Sequence, residues 1–178
     1  MARDQKKELK RQIFTGRILA LGIEEHLLPD GRRADFEIVR HPGGAAALPL
    51  LADGRVVLVR QFRPAAGGMV WEIPAGRLEG DESAEACLAR ELEEEVGYRA
   101  RRLIRLGELA TAIGFCDEIV YLYLAEDLVT VARQPEPDEY IEVVPMPGNR
   151  ALELLDRGEI KDGKTQLALL LAHRIGRI

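Results

Sequence analysis

Residues 83–97, SAEACLARELEEEVG, constrain this chain more than any other stretch. Ala84, Leu88, Leu92 and Val96 recur every four positions, Asp81 or Ser83 can cap the start, and Gly97 is the expected left-handed stop, so the spacing predicts a helix over 83–96. That helix closes on Arg90-Glu91-Leu92-Glu93-Glu94-Glu95, which puts four carboxylates where the backbone dipole already presents negative charge. Glu91 and Glu95 are separated by about 6 Å of rise and Glu94 lies three after Glu91, so these three share a face while Glu93 points elsewhere. Two charges about 6 Å apart repel by roughly 3 kcal/mol at an effective dielectric near 20, and the helix end adds about 0.3 to 1 kcal/mol for each. A fold that keeps this cluster must leave it in water or bring cations to it.

Two readings follow from the spacing. One is a solvated surface face, relieved in part by an Arg90–Glu94 pair. The other is a divalent cation site, in which the ion turns repulsion into attraction. Oxygen ligands with no Cys or His at ligand spacing select Mg²⁺ or Mn²⁺ over Zn²⁺. The three histidines, His26, His41 and His173, are scattered and read as surface residues.

A length of 178 residues suits one domain with an added element, and 47% hydrophobic with 31% charged residues is ordinary globular composition. With 25 Lys and Arg against 30 Asp and Glu, the net charge of -5 argues against a non-specific nucleic-acid binder. Cys87 and Cys116 form no metal-type pair, and the polar start MARDQKKELKRQ lacks the apolar core of a signal peptide, so a cytoplasmic protein is expected. Apolar runs such as 167–172 are far too short to span a membrane.

After a frayed start, 13–28 reads as extended chain, Pro29-Asp30-Gly31 as a turn and 34–40 as a returning strand, together an N-terminal β-hairpin. Strands are expected at 45–51, 56–62, 69–73, 103–109, 118–125 and 140–146, with Pro74-Ala75-Gly76 as a stop. Helices are expected at 150–157 and 165–174, and a Pro-rich acidic loop at 134–139. Strands and helices without strict alternation point to an α/β class with a mixed β-sheet. The boundary is placed near residue 45, giving an extension over 1–44 and a main domain over 45–178.

Gly76, five residues, Glu82, seven residues, Arg90-Glu91-Leu92, one residue, Glu94-Glu95, one residue, Gly97 and Tyr98 reproduce the Nudix box in full. The chain therefore resembles the Nudix hydrolases, which favours the cation reading and implies a Nudix fold, a mixed sheet sandwiched between helices. By position, the resemblance implies that Glu91, Glu95 and the Ala75 carbonyl are metal ligands, with Mg²⁺ or Mn²⁺ as the ion. Glu94 is implied as a further ligand or a water-orienting carboxylate, and Glu82 with Arg90 as the structural ion pair of the box. The implied chemistry is attack of water on a phosphoanhydride, for which bound cations supply the positive charge that the composition lacks.

The likeness extends from about Gly16 to about Leu171 and is similar to the ADP-ribose pyrophosphatase and NDP-sugar pyrophosphatase branch. Val59-Arg60-Gln61-Phe62-Arg63-Pro64 with Trp71-Glu72-Ile73-Pro74, Gly114-Phe115-Cys116-Asp117-Glu118, and Glu139-Tyr140-Ile141-Glu142-Val143 carry it. The branch implies Glu139 as a catalytic carboxylate, general base or third-metal ligand. It also implies a homodimer in which the N-terminal segment contacts the base through Phe36, with Arg40 nearby. Arg63 is implied to hold a phosphate or ribose and Arg77 is a lesser phosphate candidate; the other readings are a core strand position for Phe36 and surface charge for Arg63 and Arg40, while Trp71 reads as core. Ala112-Ile113-Gly114 stands where the branch usually has Ser-Pro-Gly, which leaves GDP-mannose or ADP-glucose open beside ADP-ribose.

Gly158-Glu159-Ile160-Lys161-Asp162-Gly163-Lys164-Thr165 formally matches a phosphate-binding loop. Helical period upstream and acids at Glu159 and Asp162 argue against it, so a turn between the last two helices is expected. A binding module that recognises ADP-ribose without cleaving it has no use for a full set of metal carboxylates, and an enzyme is expected.

Overall fold

Continuous apolar runs in the middle of the chain and interrupted ones at its start produce two different kinds of sheet. The computed structural model describes residues 7–134 and 140–178. They divide into two units: the chain up to Gly43 together with Ala110–Ile119, and Gly44–Leu109 together with Val120–Ile178.

In the first unit, β1 (Lys7–Thr15), β2 (Ala20–Leu27) and β3 (Arg33–Arg40) form an antiparallel sheet in that order. The expected hairpin is β2–β3, in register from Ala20 opposite Arg40 to Leu27 opposite Arg33. The expected frayed start and single extended run over 13–28 are corrected. The chain reverses at Gly16, whose N–H donates to the Leu19 carbonyl at 2.9 Å, and the residues before it pair as β1. Register shifts between Leu9 and Arg11 and between Gln12 and Phe14 interrupt the period-two pattern that would have revealed the strand. The segment 112–117 lies beside β3, with the Val39 N–H donating to the Phe115 carbonyl at 2.7 Å.

The remaining strands are β4 (Gly44–Pro49), β5 (Arg55–Arg63), β6 (Gly68–Glu72), β7 (Ala75–Arg77), β8 (Tyr98–Ala110), β9 (Ile119–Thr130) and β10 (Ile141–Pro147). They form one sheet ordered β7-β4-β9-β8, with β4 and β9 parallel, and another ordered β10-β5-β6, antiparallel throughout. The helices are α1 (Ala84–Glu91), α2 (Gly148–Asp156) and α3 (Gly163–Arg174).

Successive residues of β4 and β5 enter two different cores. Ala45, Ala47, Val57 and Val59 pack with Cys87, Leu88, Leu92 and Val96 beneath α1. Ala46, Leu48, Val56 and Leu58 pack with Ala151, Leu154, Ala168 and Leu169 of α2 and α3. Helices cover both faces, which is why these strands read as unbroken apolar runs. Full burial of each leucine contributes about 1.5 to 3 kcal/mol.

The helix expected over 83–96 is capped by Ser83, whose hydroxyl accepts from the Ala86 N–H at 3.2 Å, but its last five residues, Leu92–Val96, wind as a π turn. Looser winding sets positions four apart more nearly above one another and rotates the third away. Glu91 and Glu95 are accordingly buried while Glu94 is half-exposed. Gly97 ends the turn at φ 73°, a left-handed conformation in which a side chain is strained.

Two further readings are corrected. His26 and His41 are not surface residues: each is half-buried against an acid, His26 Nε2 3.1 Å from Glu24 and His41 Nδ1 3.2 Å from Glu118. The Pro74-Ala75-Gly76 stop continues as β7, paired with β4 from Ala46 opposite Ala75 to Gly44 opposite Arg77. The segment 158–162 joins α2 to α3. No helix among the described residues is long and apolar enough to cross a membrane.

Candidate active site

Strand β6 delivers the chain through buried Ile73 and Pro74 into β7, and the end of α1 docks back onto this passage. The Ala75 N–H donates to Glu95 Oε2 at 3.0 Å. A Cβ placed on Gly76 would lie 1.7 Å from Glu91 Oε1, so only glycine lets the backbone approach that carboxylate. The fold thus gathers Ala75, Gly76, Glu91 and Glu95.

Arg90 binds across this cluster. Its Nη1 donates to Glu91 at 2.6 Å and to Glu94 at 3.2 Å, and its Nη2 to Glu82 at 3.2 Å and to the Arg77 carbonyl at 3.4 Å. Burial works against the guanidinium charge, but Glu91 and Glu82 more than offset it and hold its pKa above the ordinary value. For Glu82, burial pushes the carboxyl up while the Glu79 N–H and Arg90 pull it lower, and the net shift is downward. Glu93 leaves the cluster for Arg99, 2.7 Å away. A cleft of about 300 Å³ opens beside Arg90, Glu93 and Glu94, bounded across by Ala132 and Gln134.

The side chains supply the donor chemistry a hard divalent cation takes, two buried carboxylates and a half-exposed third, with Glu91 packed against Gly76. Among the described residues, no three Asp, Glu, His or Cys side chains are arranged so as to hold a metal ion, and Glu91 and Glu94 turn toward Arg90. Glu139 lies outside the described residues.

The remaining residues singled out in the sequence fall in two places. Arg63 grips Glu72 through Nε at 2.7 Å and Nη2 at 2.9 Å while its side chain stays 41% exposed, so it faces both Glu72 and solvent. Arg77 is half-buried, 3.9 Å from Glu79. Phe36 and Arg40 belong to the first unit. Phe36 is exposed and meets His26 edge-on at 5.7 Å, whereas Arg40 is engaged by Glu24 at 2.7 Å and Asp117 at 2.8 Å. Trp71 packs on the α2–α3 core with the Arg60 guanidinium 5.5 Å from its ring centre.

Sequence reasoning missed the partners of these arginines, Glu72 and Glu24, both buried. It also missed Lys164, whose Nζ stands 2.6 Å from Glu72 Oε2 and 3.0 Å from Asp162. Burial pushes the Glu72 carboxyl up, but Arg63 and Lys164 outweigh it, and the net shift is downward.

The sequence profile of the NUDIX domain matches residues 40–167. The chain is 40% identical over 168 residues to an ADP-ribose pyrophosphatase of Bacillus subtilis (strain 168), covering 93% of this chain and 91% of that protein. It is 40% identical over 161 residues to a GDP-mannose pyrophosphatase of Cronobacter sakazakii, covering 81% of this chain and 83% of the relative. A crystal structure of an ADP compounds hydrolase matches its fold with a TM-score of 0.79 at 22% identity, over 100% of both chains.

Proposed function

The chain belongs to the Nudix family and is a divalent-metal-dependent diphosphatase of nucleoside diphosphate sugars, and from that premise we propose that its preferred substrate is ADP-ribose, cleaved to AMP and ribose 5-phosphate. The observation that supports cleavage by metal-held carboxylates is the convergence of Glu91 and Glu95 on the Ala75–Gly76 backbone, and the preference for ADP-ribose rests on the 40% identity to the Bacillus subtilis ADP-ribose pyrophosphatase. In this reading Glu91, Glu95 and the Ala75 carbonyl hold Mg²⁺, with Mn²⁺ as a substitute. When bound, the ion neutralises the diphosphate oxygens and acidifies water.

The chain's own groups do the rest. Glu94, the half-exposed member of the trio, accepts the proton of the attacking water; Glu139 is the other candidate for that proton. The water oxygen bonds to phosphorus, the bridging P–O bond breaks, and the leaving phosphate carries away the electron pair. Arg77 and the donors of Arg63 that Glu72 does not take hold the phosphates, since guanidinium N–H groups suit phosphate oxygens. Glu82 and Arg90 keep the helix end and the Arg77 carbonyl in register. Within the N-terminal unit, exposed Phe36 is the candidate for stacking a base and Arg40, engaged by Glu24 and Asp117, the cation on the same strand. The exposed apolar residues Leu9, Ile13, Phe14 and Ile18 of the N-terminal unit favour a homodimer. The free thiols Cys87 and Cys116 suit a reducing cytoplasm.

A second reading, GDP-mannose, is favoured by the Cronobacter relative and by Ile113, which stands 85% exposed at the tip of its loop. A panel of nucleoside diphosphate sugars with Mg²⁺ separates the two. AMP release from ADP-ribose at the highest kcat/KM supports the first reading, and preference for GDP-mannose replaces it with the second.

A further inference from the structure

The segment that imitates a phosphate loop has another use. Its last residue, Thr165, is fully buried at the start of α3, and its hydroxyl oxygen accepts the Ile73 N–H at 2.8 Å across 92 residues of chain. The same hydroxyl donates to Asp162 Oδ2, which also accepts the Thr165 N–H at 3.0 Å. Lys164 extends the contact to Glu72, the last residue of β6. Pro74 has no N–H, so Ile73 carries the last backbone donor before Ala75, whose own N–H holds Glu95. The helix therefore grips the chain two residues upstream of the peptide that meets the carboxylates, with the fixed φ of Pro74 between grip and site.

We infer that Thr165, buttressed by Asp162, is a positioning residue for the reaction: it sets the Ala75 peptide against Glu95 and Glu91 through the Ile73 amide. The inference rests on the metal-site reading above. Neither residue touches substrate in this account. The Ala47 N–H holds the Pro74 carbonyl at 3.1 Å from the other side, so removing the hydroxyl leaves the Ile73 N–H unpaired and lets the passage pivot about that remaining bond; displacements of about 1 Å at a site cost up to about a hundredfold in rate.

The test compares Thr165→Val, which keeps the shape and loses the hydroxyl, with Thr165→Ser, which restores it. For Thr165→Val, kcat with Mg²⁺ and ADP-ribose falls about tenfold to a hundredfold, KM stays within about twofold, and Mn²⁺ affinity measured without substrate falls by about fivefold. Thr165→Ser returns all three to near wild-type. A valine variant that melts earlier but keeps wild-type kcat and Mn²⁺ affinity overturns the inference, as does a serine variant no better than valine. Should valine prevent folding, Asp162→Asn, which retains a capping oxygen, serves instead: a several-fold fall in kcat at constant KM supports the inference and a wild-type kcat overturns it. Glu95→Gln separates this inference from its premise. If Glu95→Gln keeps full turnover, the metal-site reading fails; if it abolishes turnover while Thr165→Val does not change kcat, only the positioning role fails.

Discussion

Glu72 and Glu95 are both buried carboxylates, and both lie beside the same short passage of chain, yet they are satisfied in different ways. Glu72 receives two cations, Arg63 and Lys164, at hydrogen-bond distance. Glu95 receives a backbone N–H from Ala75 and feels the charge of Arg63, and it stands on the helix end that also carries Glu91 and Glu94, where the Arg90 guanidinium is shared among Glu82, Glu91 and Glu94. A carboxylate given its own countercharges is scaffold, because removing it leaves Lys164 buried with only Asp162 and Arg63 without its carboxylate. Acids concentrated on the negative end of a dipole, around a glycine that leaves room for them, are arranged for positive charge brought from outside.

The sharpest way to break this contrast is to neutralise one member of each set. Glu95→Gln is expected to lower turnover by about a thousandfold while leaving thermal stability equal or improved, since it relieves repulsion. Steady-state kinetics and a melting curve check both halves. Glu72→Gln is expected to act in the other direction: about 3 kcal/mol lost in denaturant unfolding, because Lys164 and Arg63 lose their partner, with a smaller effect on kcat.

Proton titration sharpens the same comparison. The Glu72 carboxyl has a lower pKa folded than unfolded, so its pairing stabilises fully above the ordinary carboxylate range and the contribution is lost as pH falls through the folded pKa. The stability gap between wild type and Glu72→Gln is therefore complete at neutral pH and closes below about pH 4. A gap that stays constant down to pH 3 contradicts the assignment.

Smaller effects are expected away from both sets. Phe36→Ala should raise KM by about twofold to tenfold with little change in kcat, the size of a lost aromatic stack. Glu93→Gln, which breaks the solvent-facing pair with Arg99, should leave the melting temperature and turnover at wild-type levels, although it neighbours Glu94 in sequence.

Legibility followed the range of the interactions. The α1 helix announced its cap, its period and its stop within fifteen residues, and β4 and β5 announced two-sided burial as unbroken apolar runs, because these signals are local. The placement of Glu91 beside Glu95 was legible for the same reason, whereas Glu94, expected on the same face, is turned away from them. The π turn was not legible, since spacing of four is compatible with both windings. Strand β1 was hidden by its two register shifts and its lysines and arginines. Lys164 and Thr165 imitated a phosphate loop because their true partners, Glu72 and Ile73, lie 92 residues away, and no local pattern records so distant a contact. Arg40 and Arg63 were legible as cations, but the carboxylates that engage them were not.

The central claim is that the Glu91, Glu94 and Glu95 cluster is completed by divalent ions. Its most direct test is a calorimetric titration of the wild-type chain with Mg²⁺ and Mn²⁺, alone and with a non-cleavable ADP-ribose analogue, beside Glu95→Gln. The account predicts saturable uptake by the wild type, tighter with the analogue and lost or strongly weakened in the variant. Absence of uptake by the wild type under both conditions, or identical uptake by Glu95→Gln, contradicts it.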